Sequence, residues 1–198
     1  MNWIAVALSM DVPRKLVMPA RVYDVDLAIW RDSSGTCHAW GDRCPHRGMR
    51  LSHGFVRGDM LACIYHGWQY DDAGKCAHIP AHPKMTPPQS ICAQTYPCVE
   101  RGGVIWAATD HPGEEQPPDT GAFQPLRSVP VACAANDVSA QLSKSETSLW
   151  TNGALVIAIQ PQTETSCMMH VLTQNGEDRS VMSAETEKLR DALERRAA

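Results

Sequence analysis

Two short segments that each combine one cysteine with one histidine constrain the fold of this chain more than any other feature. The first is CPHRG at residues 44–48, and the second is CIYHGW at residues 63–68. Each segment offers one thiolate and one imidazole, so together they supply two sulfur and two nitrogen donors, enough for a mixed Cys/His metal site. The chain is therefore expected to fold so that these two loops meet.

Two kinds of metal centre fit the four side chains of Cys44, His46, Cys63 and His66. A single Zn²⁺ would take all four in a closed tetrahedral site, but zinc ribbons and fingers usually pair Cys with Cys and His with His. Here each loop holds one of each. That arrangement favours a Rieske [2Fe–2S] centre, in which two Cys hold one iron and two His hold the other. Structural zinc is the alternative.

The first 108 residues are predicted to be mainly β, with short strands separated by turns. Candidate strands include Val22–Trp30, Cys37–Trp40, Met60–Ile64 and Val104–Trp106, which are rich in β-branched and aromatic residues. Many short strands with turn signals between them are typical of a small antiparallel sandwich or barrel.

The composition changes after this region. Residues 109–121 contain three prolines, several acids and almost nothing apolar, which predicts a linker or an exposed extended loop. Beyond it, Leu149–Ile159 and Ser166–Thr173 are predicted to pair as a hairpin. Residues Ser183–Ala198 are predicted to form a terminal helix, with Ser183 as its N-cap. The second half is thus expected to be a short α+β fragment.

Beyond the four candidate ligands, the sequence resembles the N-terminal domain of Rieske non-haem iron oxygenase α subunits. The two motifs are followed by DDAGKC at residues 71–76 and HIPA at 78–81, and the resemblance covers about residues 1–108. It implies a Rieske-type antiparallel β fold whose two loops bind a [2Fe–2S] cluster. The implied ligands are Cys44, His46, Cys63 and His66, with Arg47, Gly48, Tyr65, Gly67 and Trp68 surrounding the cluster.

One departure from the family pattern is Ile64, where the family usually has Pro. Respiratory Rieske proteins carry a second Cys in each loop and a Ser after the final His-Gly. Those positions are Met49, Tyr65 and Trp68 in this chain. Fewer polar groups would then stabilise the reduced cluster, so we expect a potential toward the low end of the roughly −150 to +300 mV range of Rieske centres.

The resemblance also implies a second domain, in which two His and one carboxylate hold a mononuclear iron. Residues 112–198 contain a single histidine, His170, so they cannot supply two His ligands. The Thr-Glu-Thr turn at residues 163–165 resembles a late part of that helix-grip catalytic domain. Residues 122–198 are therefore interpreted as a shortened remnant, a hairpin plus a terminal helix. Such a hairpin needs to pack on the Rieske domain or to complete a partner's sheet.

These features predict an electron-transfer component of an oxygenase system that hydroxylates or demethylates aromatic compounds. The cluster would accept one electron from a flavin or ferredoxin reductase and pass it to a mononuclear Fe(II) on a partner subunit, in a hetero-oligomer. The chain is not expected to be catalytic alone. A free-standing Rieske ferredoxin and a non-catalytic structural subunit or gene remnant are the alternatives.

Charge and hydropathy exclude other classes of partner. The 18 basic and 22 acidic residues give a formal net charge of −4, so nothing suggests a phosphate-backbone partner such as nucleic acid. The longest purely apolar runs have six residues, and a spanning helix needs about 20, so no membrane segment is expected. The N-terminus lacks a basic region and a cleavage site, which predicts a cytoplasmic protein.

Overall fold

The computed structural model describes residues 3–110, 115–144 and 149–197. These residues form sixteen strands, all paired antiparallel, and two α-helices, which confirms the mainly β prediction. The strands are β1 (Ile4–Leu8), β2 (Val17–Val22), β3 (Val25–Arg31), β4 (Cys37–Gly41), β5 (Phe55–Arg57), β6 (Met60–Ala62), β7 (Gln69–Tyr70), β8 (Cys76–His78), β9 (Thr95–Tyr96), β10 (Cys98–Arg101), β11 (Val104–Ala107), β12 (Phe123–Val131), β13 (Ser143–Lys144), β14 (Trp150–Asn152), β15 (Leu155–Pro161) and β16 (Cys167–Gln174). The helices are α1 (Ala135–Ala140) and α2 (Arg179–Ala197), and short 3-10 helices cover Ser9–Asp11 and Leu51–His53.

Three small sheets make up the N-terminal half. Their strand orders are β1-β11-β10, β2-β3-β4-β9 and β5-β6-β7-β8. The last of these positions the candidate site, because one motif lies between β4 and β5 and the other between β6 and β7. An apolar core that includes the fully buried Trp30, Trp40, Leu61 and Tyr70 lies beneath both loops and contains Cys44 and Cys63 as well.

The strand predicted over Val22–Trp30 is in fact the end of one strand and most of the next. Val22 pairs with Val25, so Tyr23 and Asp24 form a two-residue turn between β2 and β3. Tyr23 adopts a left-handed conformation with φ of 49°. A tyrosine is uncommon in that conformation, and this is why β propensity alone missed the turn.

The C-terminal half is more than the predicted hairpin plus helix. The hairpin is present as β15 and β16, but it lies inside a five-stranded sheet of order β12-β16-β15-β14-β13. The strand predicted over Leu149–Ile159 is broken, because Gly153 (φ 59°) lies in a tight turn that pairs Asn152 with Leu155. A glycine tolerates this positive φ without strain.

The terminal helix begins at Arg179, four residues before the predicted start, so the assignment of Ser183 as N-cap was wrong. The cap is Asp178, whose Oδ1 accepts hydrogen bonds from the backbone N–H groups of Ser180 and Val181 at 2.8 and 3.2 Å. Ser183 lies within the first turns, and its hydroxyl accepts a hydrogen bond from the guanidinium of Arg127 at 2.9 Å.

The two halves share an apolar cluster, so the C-terminal sheet packs on the N-terminal half rather than standing alone. The cluster joins residues of β1 and β11 to residues of β15 and β16 and to the residue just before β14, namely Ala5, Leu8, Val104, Trp106, Leu149, Val156, Ala158 and Leu172. Of the two ways in which the hairpin could be stabilised, the structure shows packing on the first domain.

The segment predicted as a linker is tied to the N-terminal half at two points. The indole N–H of Trp3 donates to the carbonyl oxygen of Glu115 at 2.7 Å, and the Thr120 hydroxyl donates to that of Gly102 at 2.6 Å. Residues 111–114 of this predicted linker lie outside the described residues. Within the part of the chain that the structure covers, no helix is long and apolar enough to cross a membrane.

Candidate metal centre

The two candidate loops share one backbone hydrogen-bond pattern. In the first loop the N–H of Gly48 donates to the carbonyl of Cys44, and the N–H of Cys44 donates to the carbonyl of Met49, both at 2.8 Å. In the second loop Gly67 donates to Cys63, and Cys63 donates to Trp68, both at 2.9 Å. Each cysteine is therefore held at the start of a tight turn that closes four to five residues later.

A glycine closes each of these turns because the backbone there is left-handed. Gly48 has a φ of 73° and Gly67 a φ of 68°. At Gly67 a side chain would also meet Pro80, whose Cγ lies 3.1 Å from the position of an added Cβ. Both conditions favour glycine over any residue with a side chain.

The two thiols lie at the bottom of the site. Cys44 is 3% exposed and Cys63 is 2% exposed, and both belong to the apolar core. Burial raises the pKa of the Cys63 thiol, and its hydrogen bond with the Cys44 side chain adds to the effect. The raised pKa keeps the proton on Cys63 until a metal ion replaces it.

The Tyr70 hydroxyl contacts the Cys44 sulfur, and sequence reasoning did not find this residue. The Oη and Sγ atoms are 3.0 Å apart and both are buried. Burial, together with the hydrogen bond to Cys44, raises the pKa of Tyr70 far above its usual range, so the hydroxyl keeps its proton and can donate to a thiolate. Its position shortly after the second motif was visible in the sequence, but its contact with Cys44 of the first motif was not.

The two imidazoles lie above the thiols, toward the surface. The ring centroids of His46 and His66 are 4.7 Å apart. Trp68 stacks on His46 with centroids 4.0 Å apart and planes 6° apart, and Tyr65 lies tilted against His66 at 3.9 Å. Partial desolvation, with the nearby His66 ring and the charge of Arg47, lowers the pKa of His46. The neutral imidazole is the form that binds a metal.

All nine residues predicted at or around the site therefore belong to two adjacent loops. Their four donors form a pair of buried thiols and a pair of outer imidazoles. Among residues 3–110, 115–144 and 149–197, no three His, Cys, Asp or Glu side chains are grouped as one ion would require. A two-iron cluster needs only two protein ligands for each iron. The donor chemistry and its division into two pairs thus fit a [2Fe–2S] cluster.

Comparisons with known proteins agree with this geometry. Residues 2–97 match the family model described as the Rieske [2Fe-2S] domain. Oxidoreductase NdmD of Pseudomonas putida is 41% identical over 115 residues, which are 58% of this chain and 20% of NdmD. The oxygenase component of dicamba O-demethylase from Stenotrophomonas maltophilia is 35% identical over 121 residues, which are 61% of this chain and 34% of that protein. The chain thus spans about a fifth to a third of the length of these relatives.

Solved structures extend the likeness to nearly the whole chain at the level of the fold. Apo dicamba monooxygenase superposes with a TM-score of 0.78 at 20% identity, covering 98% of this chain and 85% of that one. NdmB of Pseudomonas putida CBB5 gives a TM-score of 0.76 at 17% identity, with coverages of 97% and 81%. The family match implies a Rieske-type [2Fe–2S] cluster. Residues 2–97, just under half of this chain, match the Rieske [2Fe-2S] domain family.

Proposed function

We propose that this chain is the Rieske electron-transfer component of an oxygenase system, with Cys44 and Cys63 on one iron and His46 and His66 on the other. The observation that carries the proposal is the division of the four donors. Two thiols are almost fully buried, whereas the His66 ring is exposed at the surface. When bound, the cluster supplies a one-electron redox couple.

The protein's own groups set the conditions for that couple. The apolar core around Cys44 and Cys63 excludes water from the sulfur side of the site. The Tyr70 hydroxyl lies 3.0 Å from the Cys44 sulfur, and with that sulfur as a thiolate it would donate a hydrogen bond that favours the more negative state of the ligand. Trp68 and Tyr65 fix the orientation of the two imidazoles by ring contact. The imidazoles therefore provide the short path for an electron between the site and a docked partner.

Residues 109–198 are proposed to serve assembly rather than chemistry. The likeness to dicamba monooxygenase covers almost the whole chain, so the C-terminal sheet has the fold of part of such an oxygenase. We propose that residues 122–198 are a shortened catalytic domain joined by a linker at 109–121. A reductase would then be the electron donor, and a subunit with a mononuclear iron the acceptor. A cytoplasmic location stays a prediction.

The decisive measurement is iron and acid-labile sulfide analysis of the purified chain, combined with low-temperature electron paramagnetic resonance after reduction. The proposal expects two irons and two sulfides in each chain, and a rhombic signal only in the reduced sample. Stoichiometric zinc without labile sulfide would replace this function with a structural zinc site.

The role as a component, rather than a complete oxygenase, has its own test. The chain is mixed with a reductase, O₂ and a panel of methoxylated or N-methylated aromatic compounds. We expect reduction of the cluster without product, and co-purification from the native host with a second chain that carries two His and one carboxylate. Product formation by this chain alone would refute the component role.

A further inference from the structure

Two cysteines outside the candidate metal centre lie opposite each other on neighbouring strands. β4 and β9 pair antiparallel, with Ala39 opposite Tyr96. Continuing this register by two residues places Cys37 opposite Cys98, the first residue of β10. Opposed residues of an antiparallel pair have Cα atoms about 4.5–5.5 Å apart, and a disulfide needs about 4.4–6.8 Å. The backbone spacing at this position therefore suits an S–S bond.

Both cysteine side chains lie on the same face of these strands. Residues two apart in a strand share a face, and Cys37, Ala39, Tyr96 and Cys98 all belong to one apolar cluster. Burial raises the pKa of the Cys98 thiol, and the neighbouring Cys37 adds to the effect. The two thiols are therefore neighbours within the folded protein, and both are free.

An ion pair lies beside the two thiols. The Cys37 thiol donates to the carboxylate of Glu100 at 3.5 Å, and the same oxygen accepts a hydrogen bond from Arg31 at 2.6 Å. Burial raises the pKa of Cys37 to about 12, against the opposing effect of the Arg31 charge. Little thiolate is present near neutral pH, so reactions of this pair with disulfides are slow.

A surface cavity gives small molecules access to the pair. Its volume is about 410 Å³, and Cys37 and Cys98 both line it. The chain offers an internal comparison in Cys133 and Cys167, which also share an apolar cluster but are only 2% and 0% exposed. The first pair is half-buried and accessible, whereas the second is enclosed in the core of the C-terminal sheet.

We infer that Cys37 and Cys98 form a reversible disulfide when the protein meets a small-molecule disulfide such as oxidised glutathione. The inference is independent of the proposed function, because neither cysteine is a candidate ligand. One thiolate attacks a sulfur of the oxidant, whose S–S bond breaks and releases one glutathione. The second thiolate then displaces the other glutathione and closes the S–S bond of the protein. The protein thiols lose two electrons and two protons, and the oxidant becomes two glutathione thiols.

The bond joins two of the three sheets in the N-terminal half. β4 belongs to the sheet β2-β3-β4-β9, and β10 belongs to the sheet β1-β11-β10. The loop that it closes has about 60 residues and contains both candidate metal-binding loops. A cross-link over such a loop restricts the unfolded chain, so the oxidised protein is expected to resist unfolding better than the reduced protein.

The test is incubation of the holoprotein with oxidised glutathione at mildly alkaline pH for hours, followed by alkylation in denaturant and peptide mass spectrometry. We expect a Cys37–Cys98 cross-link, two hydrogens lighter than the separate peptides, which dithiothreitol removes. Cys92 and Cys98 lie in one tryptic peptide, Met85–Arg101, so fragmentation assigns the linked residue. Calorimetry should show an unfolding temperature about 5–15 °C higher after oxidation.

The other thiols and two variants serve as controls. The exposed Cys92 should carry glutathione, which proves that the oxidant reacted, while Cys133 and Cys167 should remain free for alkylation. In Cys98→Ser the second displacement is impossible, so glutathione should stay on Cys37 and the unfolding temperature should not rise. Cys92→Ser should form the same cross-link as wild type.

The wild-type peptide map decides the inference even where a variant folds poorly. Cys37 and Cys98 that are both fully alkylated in a sample whose Cys92 carries glutathione would overturn it, and so would a cross-link from Cys37 to Cys92. A Cys37–Cys98 bond without a rise in unfolding temperature would overturn its stabilising role. Formation of the bond in a protein that holds zinc instead of iron would support this inference and refute only the proposed function.

Discussion

His170 is a buried histidine whose burial should make the stability of this protein depend on pH. The side chain is 2% exposed, with Nδ1 at 2.9 Å from the Ser128 hydroxyl and Nε2 at 2.9 Å from the Gln160 side-chain oxygen. Burial lowers the pKa of His170 from its ordinary 6.5 to about 4. The folded protein therefore binds the proton less tightly than the unfolded chain does.

The sign and size of the effect follow by linkage. Because the pKa is lowered in the folded state, the contribution of His170 is complete above the unfolded value of 6.5 and is lost as pH falls toward about 4. At the acid end of this range, that difference in pKa lowers the free energy of unfolding by about 3 kcal/mol. For a chain of this size, about 1 kcal/mol moves the unfolding temperature by roughly 2–4 °C, so the expected change is about 6–12 °C.

The assay compares wild type with His170→Gln by calorimetry at one scan rate across this pH range. Glutamine does not titrate, so the difference between the wild-type and variant unfolding temperatures should change in favour of wild type as pH rises. Loss of the cluster affects both proteins alike. His82→Gln, at an exposed loop position, should track wild type. A difference between wild type and His170→Gln that does not change with pH would refute the argument. It would mean that the pKa of His170 is not lowered in the folded state, as expected if Asp11, 2.7 Å from the Ser128 hydroxyl, favours the charged imidazole through that hydroxyl.

Three further predictions concern single side chains. Cys44→Ser should abolish bound iron and labile sulfide, whereas Cys92→Ser, which changes an exposed free thiol, should retain both; equal loss in the two variants would refute the ligand assignment. Tyr70→Phe should lower the reduction potential by tens of millivolts, since it removes a hydrogen bond to the Cys44 sulfur and about 1.4 kcal/mol corresponds to ~59 mV for one electron; potentiometry that shows a rise would contradict this. Asp178→Ala should destabilise the protein by about 1 kcal/mol through loss of the α2 cap, and an unchanged unfolding temperature would show that the cap contributes nothing.

Local features of this protein could be predicted from the sequence because their causes are local. The tight turns at Gly48 and Gly67 follow from a glycine four residues after each cysteine, and the structure shows left-handed backbone at both. The β15–β16 hairpin was also visible, since a polar turn separates two apolar segments. These elements depend on residues within a few positions of one another, which is the range over which sequence patterns carry information.

The missed features depend on residues far apart in the chain. Tyr70 contacts Cys44 across 26 positions, and Ser128 reaches Asp11 across 117. The strand β12 contains Pro125 and Pro130, which argue against a strand, and it forms because β16 pairs with it along its length. Pairing partners at such separation leave no periodic signal, so the five-stranded sheet could not be inferred from the hairpin within it.

Polar contacts between the two halves connect the C-terminal sheet to the first of the two candidate loops. The Gln160 amide donates to the carbonyl of Arg21 at 2.8 Å, and the Tyr23 N–H donates to that of Pro161 at 3.2 Å, so the β2–β3 hairpin is tied to β15. Arg21 in turn contacts Asp26, which also pairs with Arg50, shortly after the first candidate motif. A continuous chain of polar contacts thus connects the C-terminal sheet to the loop that carries two of the four candidate ligands. The sheet thus supplies no candidate ligand, but its polar contacts reach the loop that holds Cys44 and His46.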